Sequence, residues 1–387
     1  MKKYMLFFTI LTSFNAFSAA EVPTCTTDST GNIVGNYNAI QQQAYNSSCE
    51  IQFAAVPNNK VVPVGNNGGG TTSRIKIAPY PAPEGLTTNI TMKLNGPEDN
   101  TLSNGKRGRE EVASCYITDS EFNALSADEQ AFRRVSNDFY RGCAQATGRA
   151  ATFSFYLRFD DTSANPYQTW DSIVMQLHAQ NDKDRYCIPG EGIPQNICNA
   201  NNGTVNTVTR SAEAYNAVLA QNGVFEKDIQ PPLSFRIKDG YLAIVATSGL
   251  TDANNNPTEF TPSKTCSIDV INAVVGKPKY CPDTGKTSTV VYRSQLDPKF
   301  PSNTYIHFNV SVIWPKQESN DQRLKVEYTH PTDGTNETLV DTNTTPFTFG
   351  TYDNAYPYFK AGVYRQNSNG IPTTVRLLHF RILPYAG

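Results

Sequence analysis

Several things are scarce in this chain of 387 residues. Charged residues make up only 18%, and Lys plus Arg (33) nearly balance Asp plus Glu (35), leaving a formal net charge of −2. A global basic field for nucleic acid is therefore absent. Helix-favouring bulk is also thin: there are 4 Met and 39% hydrophobic residues, while Gly (25), Pro (24), Tyr (20) and Phe (20) are plentiful. Aromatic residues favour strands, and Gly, Pro and Asn favour turns. A helical bundle or coiled coil is excluded on that balance. Beyond the first residues, no apolar run approaches the ~20 residues that a membrane helix needs. The cysteines form no CxxC and no Cys/His cluster, which argues against a structural zinc site.

The first twenty residues read as an address. Lys2 and Lys3 precede the apolar run Met5 to Leu11, and Ser18-Ala19-Ala20 offers small residues for cleavage. This is the pattern of a bacterial-type secretory signal, which predicts a secreted or periplasmic protein. All eight cysteines follow it, and an even count in an oxidising compartment predicts disulfides. A sequential pairing is expected: Cys25–Cys49, Cys115–Cys143, Cys187–Cys198 and Cys266–Cys281.

The rest of the chain alternates with period two. Phe153, Phe155, Leu157 and Phe159 are interleaved with Thr152, Ser154, Tyr156 and Arg158. Leu233 to Ile237 alternates, then Asp239-Gly240 precedes Tyr241 to Ala246, which is a hairpin signal. Ile306 to Trp314, Leu324 to Tyr328 and Val375 to Leu383 are further strands. Residues 57–73, with three consecutive glycines, read as loop. Two short helices are predicted between strands. One is capped by Ser126 and runs through Gln130 to Val135; the other runs from Ser211 to about Gln221. The pattern points to an all-β sandwich or jelly roll of two antiparallel sheets, one domain over 21–387 with an N-terminal extension and insertions at 181–230 and 250–300.

Two strands carry polar groups that core packing does not require. In Trp170 to Gln180, Ile173, Met175, Leu177 and Ala179 are assigned to the core. Trp170, Ser172, Val174, Gln176, His178 and Gln180 are assigned to the opposite face. In Tyr358 to Gln366, Phe359, Ala361 and Val363 face inward, while Tyr358, Lys360, Gly362, Tyr364 and Gln366 face the other way. Gly362 leaves an expected gap for close approach of a ligand, and the phenol and ammonium around it suit an anion. In Gly105 to Val112, Arg109 and Glu111 share a face if this too is a strand. Arg109 can then hold a carboxylate and Glu111 can orient it.

Together these segments resemble a known family. YFKAGVYRQ at 358–366 resembles the YFKAGxYxQ signature of jelly-roll alginate lyases. QLH at 176–178 resembles their Q-[IV]-H motif, and Arg109-Glu-Glu-Val112 resembles their R-x-E-L motif. The heparin lyase and glucuronan lyase group is a second resemblance, through Trp170 to His178, Pro231 to Phe235 and Arg365. The alginate lyase motif continues with Arg where this chain has Ala113, so Arg107 rivals Arg109.

The resemblance implies a concave cleft and β-elimination on a uronic-acid polysaccharide, alginate first. Tyr364 is then acid/base, with Gln176, His178 and Arg109 around the substrate carboxylate. Either Tyr364 or His178 can take the C5 proton. A phenol ordinarily titrates near 10, so a base role needs a nearby cation, and Lys360 is the one the strand pattern offers. Tyr358, Gln366, Glu111, Lys360 and Arg107 complete the expected substrate-binding set. The scheme requires no metal or organic cofactor, and the partner is the anionic polysaccharide alone, met by a monomer. A carbohydrate-binding jelly roll without catalysis is the alternative from another class. Hydrolysis would need two carboxylates across a cleft, and no strand supplies such a pair.

Overall fold

A computed structural model describes residues 27, 29–30, 51–53, 60–63, 75–82, 85–94, 109–114, 150–161, 167–178, 231–249, 266–281, 286–314, 322–347, 349, 358–365 and 372–385. Within them lie sixteen strands. They are β1 (Ile51–Gln52), β2 (Lys60–Pro63), β3 (Ile75–Ala82), β4 (Gly85–Leu94), β5 (Arg109–Ala113), β6 (Ala150–Phe159), β7 (Asp171–His178) and β8 (Leu233–Lys238). Then come β9 (Tyr241–Gly249), β10 (Pro278–Cys281), β11 (Lys286–Gln295), β12 (Ile306–Ile313), β13 (Arg323–Thr329), β14 (Asn336–Asp341), β15 (Tyr358–Arg365) and β16 (Thr373–Leu383). A single 3₁₀ turn, Tyr167–Thr169, precedes β7.

The strands form two sheets. One has the order β1-β2-β5-β15-β7-β8-β9-β11-β10, the other β14-β13-β12-β6-β16-β4-β3. Every pairing is antiparallel. The chain changes sheet repeatedly, for example from β4 to β5, β6 to β7 and β15 to β16, so neighbours within a sheet are far apart in sequence. This is a jelly-roll arrangement, one of the two architectures that the alternating strands allow and the one that the family resemblance implies.

The alternation explains the core. Phe153, Phe155, Phe308 and Phe380 point from the seven-stranded sheet, Phe235 and Phe359 from the nine-stranded one, and all are fully buried. Phe359 meets Phe380 at 4.5 Å and Phe155 at 4.8 Å between ring centroids, and Phe235 meets Phe308 at 5.4 Å. Burial of such a ring contributes about 1.5–3 kcal/mol each. The β8–β9 hairpin closes through Asp239 (φ 47°) and Gly240 (φ 81°). Two positive φ angles make the turn whose twist matches that of the strands.

Some expectations are revised. Residues 57–73 are not all loop: β2 lies inside them and pairs with β5. The stretch 250–300 is partly sheet, because β10 and β11 extend the nine-stranded layer. The Cys266–Cys281 disulfide forms, with a Cα–Cα distance of 5.4 Å. It anchors a segment whose Ile268 and Val270 pack on Ala243, Val245 and Val290, the outward residues of β9 and β11. The other three cysteine pairs, the signal segment 1–20 and both expected helices lie outside the described residues. No helix among the described residues is long and apolar enough to cross a membrane.

Candidate active site

Strands β5, β15, β7 and β8 lie side by side, and this adjacency assembles the polar residues. Their register sets who meets whom. Lys360 pairs with Gln176 on one side and with Ala113 on the other, and Tyr358 pairs with His178. Tyr364 pairs with Arg109 and with Ile173, and Ile173 pairs in turn with Arg236. Positions 109, 176, 178, 358, 360 and 364, separated by up to 255 places in the chain (364 − 109), thus come to one patch of sheet.

Two irregularities shape the patch. In β7 the pairing with β8 jumps between Ile173 and Met175, so Val174 is an extra residue. A bulge of this kind reverses the inward-outward phase of the strand. Met175, Leu177 and Gln176 keep the faces their spacing predicts. Before the bulge the assignment inverts: Trp170 and Val174 are in the core, whereas Ile173 takes the outer-face position between Tyr364 and Arg236. Strict alternation assigned these three the other way round, because it assumes an unbroken pleat.

The second irregularity is at Gly362, where φ is 148° and the pairing of β15 with β7 also shifts. A Cβ there would sit 2.2 Å from the carbonyl oxygen of Glu110 and 2.6 Å from the Cα of Glu111. Glycine is required because β5's backbone approaches so closely. The expected gap for a ligand at Gly362 is therefore filled by the protein's own strand, and the glycine brings Glu111 inward instead.

The consequence is a buried polar cluster. Glu111 is 2% exposed, Gln176 2% and Lys360 5%. Gln176 Nε2 donates to Glu111 Oε1 at 2.7 Å, and Lys360 Nζ lies 3.8 Å from Glu111 Oε2. That second oxygen has no hydrogen-bond partner among the described residues. A carboxylate only accepts, so the contact turns the amide nitrogen of Gln176 toward Glu111 and fixes which way the side chain is flipped. Glu111 is thus tied to Gln176 and Lys360, a link that local spacing does not show.

Tyr364 is half-buried at the edge of this cluster. Of the other expected residues, Arg109, His178 and Tyr358 take the strand positions given above, and their side chains lie outside the described residues. Gln366 and Arg107 lie wholly outside them.

Arg236 is the residue that motif reading missed. Leu233, Phe235 and Ile237 point into the core, so Ser234, Arg236 and Lys238 occupy the same outer face as Gln176 and Tyr364. The alternation of LSFRIK held that signal, but nothing local says that β8 lies beside β7. The Arg236 Nε donates to Ser234 Oγ at 3.1 Å. Burial lowers the pKa of its guanidinium to about 10, while Asp171 and Tyr364 act in the opposite direction. The group remains a cation at neutral pH. Burial raises the Asp171 carboxyl above its ordinary value, opposed by Lys238 at 3.6 Å.

An amide, an ammonium, a guanidinium and a phenol gathered on one sheet face can bind an anion and transfer a proton. Such a set suits an acid/base enzyme on a jelly roll. Residues 72–380, well over half the chain, match the polysaccharide lyase family, and the chain belongs to that family. Membership sets aside the non-catalytic binding module. The chain is 25% identical to heparin lyase I of Pedobacter heparinus over 313 residues, covering 72% of this chain and 77% of that protein. Among solved structures it is similar to an endo-β-1,4-glucuronan lyase from Trichoderma reesei (10% identity, 81% and 88% of the two chains, TM-score 0.38). It is also similar to alginate lyase A1-II′ (12% identity, 82% and 85%, TM-score 0.36). Likeness of that extent carries nothing about substrate.

Proposed function

We propose that this lyase is a secreted or periplasmic enzyme that cleaves a uronic-acid-containing polysaccharide by β-elimination, with alginate as its substrate. The observation that carries the reading is the cluster of Gln176, Glu111 and Lys360 beside Tyr364 on one face of the nine-stranded sheet.

The chemistry follows from the substrate. A uronate C5–H is weakly acidic because the adjacent carboxylate resists more negative charge. Donors around that carboxylate relieve the difficulty, and they act most strongly where charge develops. Gln176 retains a second N–H for this purpose, and its amide is already oriented by Glu111. His178 and Arg109 contribute from the neighbouring strand positions. Tyr364, as phenolate, takes the C5 proton. The C5–H electron pair becomes the C4=C5 double bond, the C4–O4 bond breaks, and the proton passes from Tyr364 to the departing O4. Each turnover thus returns Tyr364 to its starting state.

A heparin-type substrate is the second reading, favoured by Arg365 and by the 25% identity to heparin lyase I. One assay separates the two. The mature protein is incubated with polymannuronate, polyguluronate, glucuronan and heparin-type chains, and the ultraviolet absorbance of the new C4=C5 bond is followed. A rise with the alginate polymers alone supports the first reading, and a rise with heparin alone supports the second. No rise with any uronate polymer overturns both.

A further inference from the structure

We propose that Arg236, rather than Lys360, supplies the positive charge that stabilises the phenolate of Tyr364. This inference rests on the acid/base reading of Tyr364 given above.

The geometry is a single row across the sheet. Tyr364, Ile173, Arg236, Ala243 and Arg293 are successive partners on β15, β7, β8, β9 and β11. Ile173 is the only residue between the phenol and the Arg236 guanidinium in that row, and its aliphatic side chain neutralises neither. Tyr364 is among the groups that act on the Arg236 guanidinium across this row. The next cation in the row is committed elsewhere: Arg293 Nη1 donates to the carbonyls of Val270 at 3.0 Å and Ala273 at 3.1 Å, and also to that of Ile271.

The charged groups on the neighbouring elements decide between the two candidates. On β5, Glu111 lies against Lys360 of β15, one anion to one cation, so the pair is neutral. A cation with a carboxylate within 4 Å projects little net field beyond it. On β7 and β8, Asp171 has Lys238 at 3.6 Å and a second carboxylate, Asp239, in the adjoining turn, whereas Arg236 forms no ion pair within 4 Å among the described residues. Arg109 stands opposite Tyr364 on β5, His178 ends β7, and Arg365 follows Tyr364 on β15. Among the described side chains, Arg236 is thus the cation in Tyr364's row that no carboxylate pairs within 4 Å and no carbonyl engages. The Ser234 hydroxyl, only 1% exposed, holds Arg236 by its Nε and leaves the two terminal nitrogens of the fork to interact.

The test compares wild type, Arg236→Gln and Arg236→Lys in two readouts. The first is the pH profile of kcat/KM on whichever polymer the wild type cleaves. Arg236→Gln is expected to lower kcat/KM at neutral pH about tenfold and to move the rise of the profile upward by about one pH unit. Arg236→Lys, which keeps the charge, should stay within a few tenths of a unit. The second readout needs no turnover: tyrosinate absorbance is titrated in each protein with and without Tyr364→Phe, and the Tyr364 component is the difference. It should move upward in Arg236→Gln. Profiles and titrations of Arg236→Gln that superimpose on wild type overturn the proposal. If Arg236→Gln loses its near-ultraviolet circular dichroism, Arg236→Lys decides: an unmoved Tyr364 component supports the role of charge, and a displacement of a full unit overturns it. A moved titration in a protein that cleaves no uronate polymer would sink the substrate reading but keep this inference.

Discussion

Both sheets carry charged clusters on their outward faces, and the two are built on opposite terms. On the seven-stranded sheet, Asp160 accepts from Arg158 Nε at 2.7 Å and from Arg376 Nε at 2.8 Å, and Arg376 Nη2 lies 2.7 Å away. Arg376 Nη1 also donates to Thr91 Oγ1 at 3.1 Å. Both carboxylate oxygens are engaged, and the residues are part-exposed. On the nine-stranded sheet, Glu111 is almost wholly buried, accepts one amide hydrogen, faces an ammonium at 3.8 Å and leaves one oxygen unbonded. Burying an incompletely satisfied carboxylate is costly. The first cluster is what a stable surface selects. In the mechanism proposed above, the second persists against its cost because it orients groups that a substrate uses.

That contrast can be broken by substitution. The largest effect should come from Tyr364→Phe, which removes only the phenolic hydroxyl that accepts and returns the proton. We expect a loss of about a thousandfold or more in kcat with an unchanged melting temperature; near-wild-type turnover would remove Tyr364 from the mechanism. His178→Ala should also lose most of its kcat, whereas a rise in KM alone would give His178 a binding role. Gly362→Ala forces a Cβ into the backbone of β5 and should destabilise the fold by about 3 kcal/mol, read in denaturant melts. A stable Gly362→Ala protein would mean that β5 can retreat without harm. Glu111→Gln removes the carboxylate that faces the Lys360 ammonium and should cost about 2–3 kcal/mol. It also frees the Gln176 amide to flip, so kcat should fall more than KM rises. The smallest effect is expected for Asp160→Asn, about 1 kcal/mol or less for a solvent-screened pair, with elimination unchanged. An Asp160→Asn protein that lost activity would erase the distinction between the two clusters.

Much of the fold was legible in the chain. Alternation located β6, β8, β9, β12, β13 and β16, and Asp239-Gly240 marked a hairpin that is there. Signature residues pointed to Gln176, Lys360, Glu111 and Tyr364 before any contact was known. β2, four residues long, was hidden in a loop-like stretch because so short a strand has no measurable period. The phase of β7 was misread at Val174 because a bulge exists only relative to a partner strand.

What the sequence determined alone is whatever depends on neighbours along the chain: which segments extend, which side chains alternate, where a turn needs positive φ. Only the tertiary structure decided that Glu111 meets Gln176 across 65 positions, that Gly362 admits β5 rather than a ligand, and that Arg236 lies in the row of Tyr364. The reason is physical. Inter-strand register is set by how two sheets close over a shared core, and that closure is a property of the whole chain, not of any segment of it.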